Sequence, residues 1–393
     1  MRIFVSTGEV SGDMQGGLLI QKLYHQAQQQ GISLQVEGLG GEKMRSAGAN
    51  IIGDTTAIGS IGLLEALPFV FPTLQVQKKA KQYLAKNLPD VIVLIDYLGP
   101  NLAIASYFKQ KYPHIPIIWY ISPQFWVWIP RKKDLDDLLK VTDKILAIFP
   151  QEAKFYEDKN IETVYVGHPL VDRIKTASSK EIVREKLGIK EEEKMIVLLP
   201  ASRHQELKYL LPVMLESVQK IQEKNPNIKF YLPVSLPKYR QKIEQLINQY
   251  QVKINLFEGN ILDILPAADL AITKSGTVNI ELGLLKIPQI VIYKVNPITI
   301  SIARNILRFS IPFMSPVNLV SMKEIVPELL QEKATAENIF NLAQDLLFNF
   351  DRLKKLELDY QEMIQILDNG VDSVSENAAQ IILETNNNFQ GKN

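Results

Sequence analysis

Short runs of consecutive apolar residues alternate with longer, mixed segments along most of the chain. Residues 91–95, which are all apolar, predict a short strand that is buried on both faces. The segments between such runs have the spacing and length of helices, as expected for an α/β protein with parallel sheets. Strands are predicted at residues 3–6, 34–38, 91–95, 115–121, 145–149, 164–166, 195–199, 229–232, 254–257, 270–273 and 289–293.

The alternation is interrupted once, by the charged and weakly apolar residues 170–194. We interpret this segment as a link between two domains, residues 1–175 and 176–393, because 393 residues are too many for one ordinary core. From residue 322 onward the pattern predicts helix almost throughout. The sequence therefore predicts an α/β fold with two Rossmann-like, doubly wound domains facing across a cleft, and a helical C terminus.

Composition narrows the possible functions only slightly. The chain is 46% hydrophobic and 22% charged, which is an ordinary globular balance. A net charge of +1 gives no reason to expect a nucleic-acid partner. The absence of cysteine excludes disulfides and thiolate metal sites, and the four histidines lack metal-ligand spacing. We therefore expect neither a metal nor a cofactor.

Polar residues in the first domain follow predicted strands. Asp96 directly follows the apolar run 91–95, and Asn101 comes after a Gly-Pro turn, where a helix would begin. In an open parallel sheet, ligands bind just past the carboxyl ends of the strands. On these residues alone Asp96 is either a turn or capping acid or a catalytic carboxylate. The loop after the first strand supplies four further candidates for the same edge: Gly8, Ser11, Gly12 and Asp13.

The second domain contains a candidate nucleotide site. Ser275, Gly276 and Thr277 lie in a predicted turn between a strand and a helix. Backbone N–H groups at such a turn can bind a diphosphate. Glu281 lies four residues after Thr277 on the same helix face, where its carboxylate could accept hydrogen bonds from both ribose hydroxyls. A plain helix cap with a surface glutamate is the alternative.

Three other strand ends carry candidate binding residues. Ser202 and Arg203 follow the strand at 195–199, where they could meet a phosphate or a developing negative charge. Glu206 could cap the following helix or hold the arginine. Ser122 follows the strand at 115–121, and His168 after another strand could be a ligand contact or a turn residue.

Two stretches are candidates for membrane contact. Phe125, Trp126 and Trp128 precede the basic residues 131–133, a mixture found at membrane interfaces. Residues 298–314 are apolar apart from two arginines. Core aromatic residues beside solvated charges would give the same pattern in both places.

Eight motifs in order resemble those of the lipid-A-disaccharide synthase family, inverting glycosyltransferases of the GT-B fold. Each motif is weak alone, and their shared order is specific. The motifs are G-E-x-S-G-D at residues 8–13, I-G-x-x-x-x-x-E at 58–65, the strand ending in Asp96 with Asn101, Y-x-S-P-x-x-W-x-W at 120–128, G-H-P at 167–169, L-L-P-x-S-R-x-x-E at 198–206, S-G-T-x-x-x-E at 275–281, and N-L-V at 318–320 before E-I-V-P-E-L-L-Q at 324–331.

The resemblance implies a reaction and a location. UDP-2,3-diacylglucosamine would donate its sugar to 2,3-diacylglucosamine 1-phosphate, giving a β-1,6 disaccharide and UDP in lipid A biosynthesis. Asp96 matches the family's base, Arg203 and Asn318 match residues associated with activity, and Glu281 matches the UDP pocket. The resemblance also implies a bacterial cytoplasmic protein held peripherally at the inner face of the cytoplasmic membrane. A homodimer is left open.

The chain departs from the family pattern at two loops, and two other functions stay open. Ala201 stands where the family often has Gly, and Leu98 where it often has Pro. One rival is another GT-B enzyme acting on a UDP-amino sugar, either a 2-epimerase or a lipid-linked glycosyltransferase. The other is a non-catalytic protein that binds nucleotide sugar or lipid. The intact set of Asp96, Arg203 and Glu281 favours an enzyme.

Overall fold

The computed structural model describes residues 1–56, 63–201, 204–296, 300, 311–371 and 373–390. The chain divides into two compact units. The first contains Met1–Asp172 together with Leu367–Asn393, and the second contains Arg173–Ile366. Each unit is built on one parallel sheet, so the predicted pair of doubly wound α/β domains is confirmed.

The described part of the first unit forms a seven-stranded parallel sheet of order β3-β2-β1-β4-β5-β6-β7. Strands β4 and β5 are buried along their whole length, as their apolar sequences require. The strands are β1 (Arg2–Ser6), β2 (Gln35–Gly40), β3 (Asn50–Asp54), β4 (Val91–Leu94), β5 (Ile117–Tyr120), β6 (Lys144–Ala147) and β7 (Glu162–Tyr165). The helices are α1 (Val10–Gln29), α2 (Glu42–Ser46), α3 (Leu63–Lys86), α4 (Leu98–Lys111), α5 (Lys132–Val141), α6 (Pro150–Glu157) and α7 (Leu170–Ile174).

In the second unit the described residues form a six-stranded parallel sheet of order β10-β9-β8-β11-β12-β13. Its strands are β8 (Met195–Leu199), β9 (Lys229–Pro233), β10 (Asn255–Phe257), β11 (Leu270–Lys274), β12 (Gln289–Tyr293) and β13 (Glu328–Leu330). Its helices are α8 (Lys180–Leu187), α9 (His204–Lys224), α10 (Arg240–Tyr250), α11 (Val278–Leu284), α12 (Pro316–Ser321), α13 (Ala336–Phe348) and α14 (Phe350–Leu367). Four 3-10 segments complete it: Pro237–Tyr239, Ile261–Asp263, Leu265–Ala267 and Gln331–Lys333.

The last helix, α15 (Val374–Gln390), packs against α1 of the first unit. Lys22 Nζ donates to Glu376 Oε1 at 2.6 Å, and Asp172 accepts from the Ser375 N–H at 2.8 Å and the Ser373 hydroxyl at 2.9 Å. Asp172 therefore caps the N terminus of α15. The sequence-based division assigned the whole tail to the second domain, whereas the structure returns α15 to the first. A helical period shows that one face is buried but does not identify the core that buries it.

Several local elements differ from the sequence-based assignment. Strands β3 and β13 were not predicted, because each is short and carries polar residues. Residues 261–267, which lie between two predicted strands, form a pair of 3-10 segments. Helix α1 begins at Val10, so the residues predicted as the loop after the first strand are helical from that position on. In the described part of the chain, no helix is both long and apolar enough to cross a membrane.

Candidate active site

Asp96 lies at the point where the first sheet reverses its strand order. Strands β1 and β4 are neighbours in that sheet, although β2 and β3 come between them in sequence. At this switch point the connections leave in opposite directions and open a crevice at the carboxyl ends of the strands. Asp96 follows β4 by two residues and is exposed. An exposed carboxylate therefore lies at the edge where open parallel sheets usually bind ligands.

The backbone at Asp96 is strained. Asp96 has φ +45° and Tyr97 has φ +51°, two successive left-handed residues before α4 begins at Leu98. Non-glycine residues in this region cost of order 1–3 kcal/mol each and persist only where their surroundings hold them. The Tyr97 ring lies so close to Gly8 that a Cβ there would be 2.0 Å from Cδ1 of the ring. Gly8 therefore serves the packing of this loop.

Asn101 holds the loop from below. Its side chain is fully buried, and Nδ2 donates to the carbonyl oxygens of Asp96 at 2.8 Å, Ile95 at 3.2 Å and Ser6 at 3.2 Å. Its Oδ1 accepts from the Ser6 hydroxyl at 2.7 Å. The Asp96 N–H donates to the Ile121 carbonyl at 2.8 Å, so both backbone polar groups of Asp96 are bonded. Asn101 thus fixes the position of Asp96, and its predicted contact with substrate stays a prediction.

Asp13 also has a structural role. Its buried carboxylate accepts hydrogen bonds from the N–H groups of Gly41 at 2.7 Å, Lys43 at 3.0 Å and Met44 at 3.1 Å. Asp13 therefore caps the N terminus of α2. These hydrogen bonds make Asp13 a support of the neighbouring segment, and its predicted contact with substrate stays a prediction.

Two other members of the same motif lie in the first turn of α1. Gly12 packs on Thr7, where an added Cβ would be 1.8 Å from Oγ1 of the threonine. Ser11 is half-buried. Gly8, Gly12 and Asp13 of this motif each have a packing or capping role in the structure, whereas Ser11 has none that the structure shows. The motif thus mainly fixes the loop that follows β1.

Ser122 bonds to a buried carboxylate that the sequence did not single out. Glu152, in the first turn of α6, accepts from the Ser122 hydroxyl at 2.6 Å and the Ser122 N–H at 3.0 Å. Its other oxygen accepts from the N–H groups of Ile148 at 2.8 Å and Phe149 at 3.3 Å. Burial raises the pKa of Glu152 to about 7, although these four donors oppose the shift. Ser122 is therefore part of a buried network that joins the ends of β5 and β6.

His168 is a buried turn residue. Burial lowers the pKa of its imidazole to about 3, so the ring is neutral at ordinary pH. Its Nδ1 accepts from the Leu170 N–H at 3.3 Å, and its ring packs 5.3 Å from the ring of Phe149, centroid to centroid. Of the two roles that the sequence allowed, these contacts favour the turn.

The turn after β11 lies at the switch point of the second sheet, where β8 and β11 are neighbours. The Ser275 hydroxyl donates to the Met314 carbonyl at 2.6 Å, and the Gly276 N–H donates to Asn279 Oδ1 at 2.8 Å. Two of the polar groups expected to meet a diphosphate are therefore already hydrogen-bonded within the protein. Thr277 is the residue before α11.

Glu281 is only 4% exposed and contacts the guanidinium of Arg173. Arg173 lies on α7, where the chain passes from the first unit to the second, and its Nη2 donates to Asn260 Oδ1 at 3.3 Å. Burial lowers the pKa of Arg173 but leaves a group of this kind protonated. A surface glutamate is thus excluded for Glu281, because its carboxylate is buried and paired with a cation.

Asn318 is fully buried and acts on the turn at Ser275 through other residues. Its Oδ1 accepts from the N–H groups of Ile325 at 2.8 Å and Val326 at 2.9 Å, and its Nδ2 donates to Glu328 Oε1 at 2.8 Å. Glu328 in turn accepts the N–H of Met314 at 2.8 Å. Since the Met314 carbonyl binds the Ser275 hydroxyl, Asn318 positions this turn.

Glu206 lies near a lysine that the sequence analysis did not single out. Its Oε1 is 3.5 Å from Nζ of Lys274, the last residue of β11. Ser202 and Arg203, which precede it, lie outside the described residues. Glu206 thus has a cationic partner at the end of the neighbouring strand.

Four charged residues that sequence reasoning missed support the predicted ones: Lys274, Arg173, Glu152 and Glu328. Glu328 lies inside a motif and Lys274 directly precedes one, whereas Glu152 and Arg173 lie outside the motifs and gave no sequence signal. Over the part of the chain that the structure describes, no group of three or more His, Asp or Glu side chains could hold a metal ion.

Comparison with known proteins gives concordant results over the whole chain. A family model described as lipid-A-disaccharide synthetase matches residues 3–382. The lipid-A-disaccharide synthase of Synechocystis sp. is 51% identical over 392 residues, 99% of this chain and 99% of that protein. The lipid-A-disaccharide synthase of Prochlorococcus marinus is 40% identical over 389 residues, 98% of this chain and 99% of that protein.

Solved structures match at the level of the fold. The UDP-GlcNAc 2-epimerase of Neisseria meningitidis bound to UDP-GlcNAc superposes with a TM-score of 0.64 at 14% identity, covering 98% of this chain and 99% of that one. A glycosyltransferase of Rickettsia africae gives a TM-score of 0.55 at 14% identity, covering 99% and 98%. These structures share the fold of the chain but are only 14% identical to it, whereas the synthases named above are 51% and 40% identical. The chain belongs to the lipid-A-disaccharide synthase family of glycosyltransferases.

Proposed function

We propose that this protein transfers the sugar of UDP-2,3-diacylglucosamine to the 6-hydroxyl of 2,3-diacylglucosamine 1-phosphate. The products are the β-1,6-linked lipid A disaccharide 1-phosphate and UDP, and the configuration at the donor's anomeric carbon inverts. Membership of the synthase family over nearly the full chain supports this reaction.

The observation that supports catalysis most directly is the geometry of Asp96. An exposed carboxylate lies at a strand-end crevice, in a left-handed conformation held by Asn101 and by the Ile121 carbonyl. Strained, over-determined backbone of this kind is concentrated at functional sites. Asp96 takes the proton from the acceptor hydroxyl while the oxygen of that hydroxyl attacks the anomeric carbon of the donor sugar. A general base typically contributes a factor of about 10²–10⁴ in rate.

The second unit binds the donor nucleotide in this proposal. Glu281 accepts a hydrogen bond from the ribose while Arg173 orients its carboxylate. The turn at Ser275–Thr277 lies next to the diphosphate, and Arg203 offsets the charge that gathers on the leaving UDP. Asn318 is a positioning residue, since its side chain is buried and bonded within the protein.

We also propose that the protein binds a membrane surface through α3. Val70, Phe71 and Leu74 on this helix are 50%, 68% and 57% exposed, and Lys78 and Lys79 follow on the same helix. Exposed apolar side chains next to lysines are typical of helices that lie at a lipid interface.

The two stretches considered from sequence offer less support for membrane contact. Phe125 is 3% exposed, and the Trp126 ring packs 5.4 Å from the ring of Phe149. Most of residues 298–314 lie outside the described part of the chain. The exposed side chains of α3 are therefore the better-supported surface.

The test is turnover with both acylated substrates. Purified protein should release UDP only when UDP-2,3-diacylglucosamine and 2,3-diacylglucosamine 1-phosphate are both present, and NMR of the product should give a β-1,6 linkage. Epimerisation of UDP-N-acetylglucosamine without an acceptor would instead favour the 2-epimerase activity. Binding of both substrates without UDP release would favour a non-catalytic binding protein.

A further inference from the structure

Tyr97 connects the loop that carries Asp96 to helix α3. The hydroxyl groups of Tyr97 and Thr73 share a hydrogen bond. Tyr97 directly follows Asp96, and Thr73 lies on α3 between Phe71 and Leu74 in the sequence. Burial raises the pKa of Tyr97, so its hydroxyl keeps its proton at ordinary pH. The residue next to the proposed base is therefore bonded to the helix that carries the proposed membrane surface.

Thr73 lies on the inward face of α3, beside the exposed face. Ala80 and Leu84 are fully buried in the core of the first unit. Positions 73, 80 and 84 have the spacing of one helix face, whereas Phe71 and Leu74 are exposed. Packed helices shift as rigid elements, typically by about 1–2 Å. A shift of α3 at a lipid surface would therefore carry Thr73 with it.

The Tyr97 ring is tightly packed on its other side. A Cβ added to Gly8 would lie 2.0 Å from Cδ1 of the ring, so the ring fits only because position 8 is a glycine. The Tyr97 carbonyl accepts the Asn101 N–H at 3.2 Å. Since the ring has little room to turn by itself, a displacement of its hydroxyl reaches the backbone that Tyr97 shares with Asp96.

The space between α3 and this loop is not completely filled. A cavity of about 10 Å³ is lined by Thr73 and Val76 of α3 and by Tyr97 and Pro100 of the loop and the following helix. A gap of this size holds about one water molecule. Helix α3 can therefore shift slightly against the loop without a steric clash, and the hydrogen bond between the two hydroxyls would follow that shift.

We propose that Tyr97 is a positioning residue that couples membrane binding by α3 to the placement of the Asp96 carboxylate. The inference rests on the proposed function, in which α3 binds the membrane and Asp96 is the base, and it adds the link between them. When α3 settles on a lipid surface, Thr73 displaces the Tyr97 hydroxyl, and the loop turns Asp96 toward the acceptor hydroxyl. Turnover thus increases where the acylated substrates are located.

The test measures kcat for UDP release with saturating, water-soluble short-acyl analogues of both substrates, with and without added phosphatidylglycerol vesicles. Vesicles should raise the kcat of the wild type about 3- to 10-fold, the range over which one net hydrogen bond can change a rate. Tyr97→Phe keeps the ring against Gly8 but loses the hydroxyl, and it should abolish this stimulation. A purely structural role would lower both kcat values alike and leave their ratio unchanged.

Variants of the partner hydroxyl test the same hydrogen bond from the other side. Thr73→Val removes the hydroxyl and keeps the branched shape, so it should abolish the stimulation as Tyr97→Phe does. Combining the two changes should have no further effect, because both remove one interaction. Thr73→Ser keeps a hydroxyl and should retain the stimulation of the wild type.

Tyr83→Phe is the matched control. Tyr83 also lies on α3, and its hydroxyl donates at 2.8 Å to Oε1 of Glu37 on β2, a strand that does not carry the Asp96 loop. This variant loses a tyrosine hydroxyl that ties the same helix to the same sheet, but it should retain the stimulation by vesicles.

Three results would overturn the inference: a wild-type protein that co-sediments with the vesicles without a rise in kcat, full stimulation of Tyr97→Phe, or an equal loss of stimulation in Tyr83→Phe. Failure of the wild type to co-sediment with the vesicles, or to release UDP at all, would instead contradict the proposed function.

Discussion

Replacing Asn101 with alanine removes the side chain that holds the Asp96 backbone. Asn101 is fully buried, and its amide donates to three carbonyl oxygens and accepts one hydroxyl. At about 1 kcal/mol net for each of roughly three effective hydrogen bonds, the substitution should lower the free energy of unfolding by about 3 kcal/mol. The same hydrogen bonds hold Asp96 and Tyr97 in left-handed conformations that cost about 2–6 kcal/mol together.

The free energy contributed by the Asn101 hydrogen bonds is similar to the free energy cost of the left-handed backbone at Asp96 and Tyr97. The loop should therefore adopt a less strained conformation once these hydrogen bonds are lost. The Asp96 carboxylate would then move by an ångström or more, and such a misplacement costs about 10²-fold in rate. We therefore expect Asn101→Ala to reduce kcat about 100-fold in an assay of UDP release. UDP affinity, measured by calorimetry, should stay unchanged because the proposed nucleotide site lies in the second unit.

The control for this experiment is Ser6→Ala, which removes only the hydroxyl that donates to Asn101. It should cost about 1 kcal/mol in urea unfolding and lower kcat less than tenfold. A near-native kcat in Asn101→Ala, together with the expected loss of stability, would refute the view that this anchor positions the catalytic group.

Three further predictions concern buried charge and membrane contact. Burial raises the pKa of Glu152 from an ordinary 4.5 to about 7, so protonated Glu152 stabilises the fold below about pH 4.5, and this contribution is lost as the pH rises to about 7. The free energy of unfolding of the wild type should therefore fall by up to about 3 kcal/mol over that range relative to Glu152→Gln. Urea denaturation of both proteins at a series of pH values measures this difference. Arg173→Met leaves the Glu281 carboxylate buried without its cation, so it should destabilise the protein by about 3 kcal/mol, and the added change Glu281→Gln should recover part of the loss in a double-mutant cycle. The double substitution of Phe71→Ser and Leu74→Ser should reduce co-sedimentation with anionic vesicles at least about tenfold. Because both side chains are more than half exposed, the thermal unfolding midpoint should stay within about 2 °C of the wild type. Unchanged co-sedimentation would contradict membrane binding through α3.

The sequence predicted the central strands of the two sheets well because strands such as β4, β5 and β8 are buried along their whole length and consist of continuous apolar runs, whereas the edge strands β3 and β13 were missed. The polar residues that end such runs, Asp96 and Ser275, lie at the switch points as expected. Sequence could not give the left-handed backbone of Asp96, because Asn101 and the Ile121 carbonyl that hold it come together only in the folded sheet.

The roles of several predicted site residues were also beyond sequence reasoning. Asn318 and Asp13 were predicted as site residues from their motifs, and the structure adds that both are buried and hydrogen-bonded to neighbouring segments. A polar residue in a motif can touch the substrate or hold the residue that does, and spacing alone does not separate these roles. The packing of α15 on α1 is likewise invisible to a helical period.

The most direct test of the central claim is turnover by Asp96→Asn. Asparagine tolerates left-handed backbone as well as aspartate does, so the loop should keep its conformation while losing the base. We predict that UDP affinity and unfolding midpoint stay at wild-type values while kcat falls by about 10²–10⁴-fold. Near-native kcat in this variant would contradict the assignment of Asp96 as the base that activates the acceptor hydroxyl.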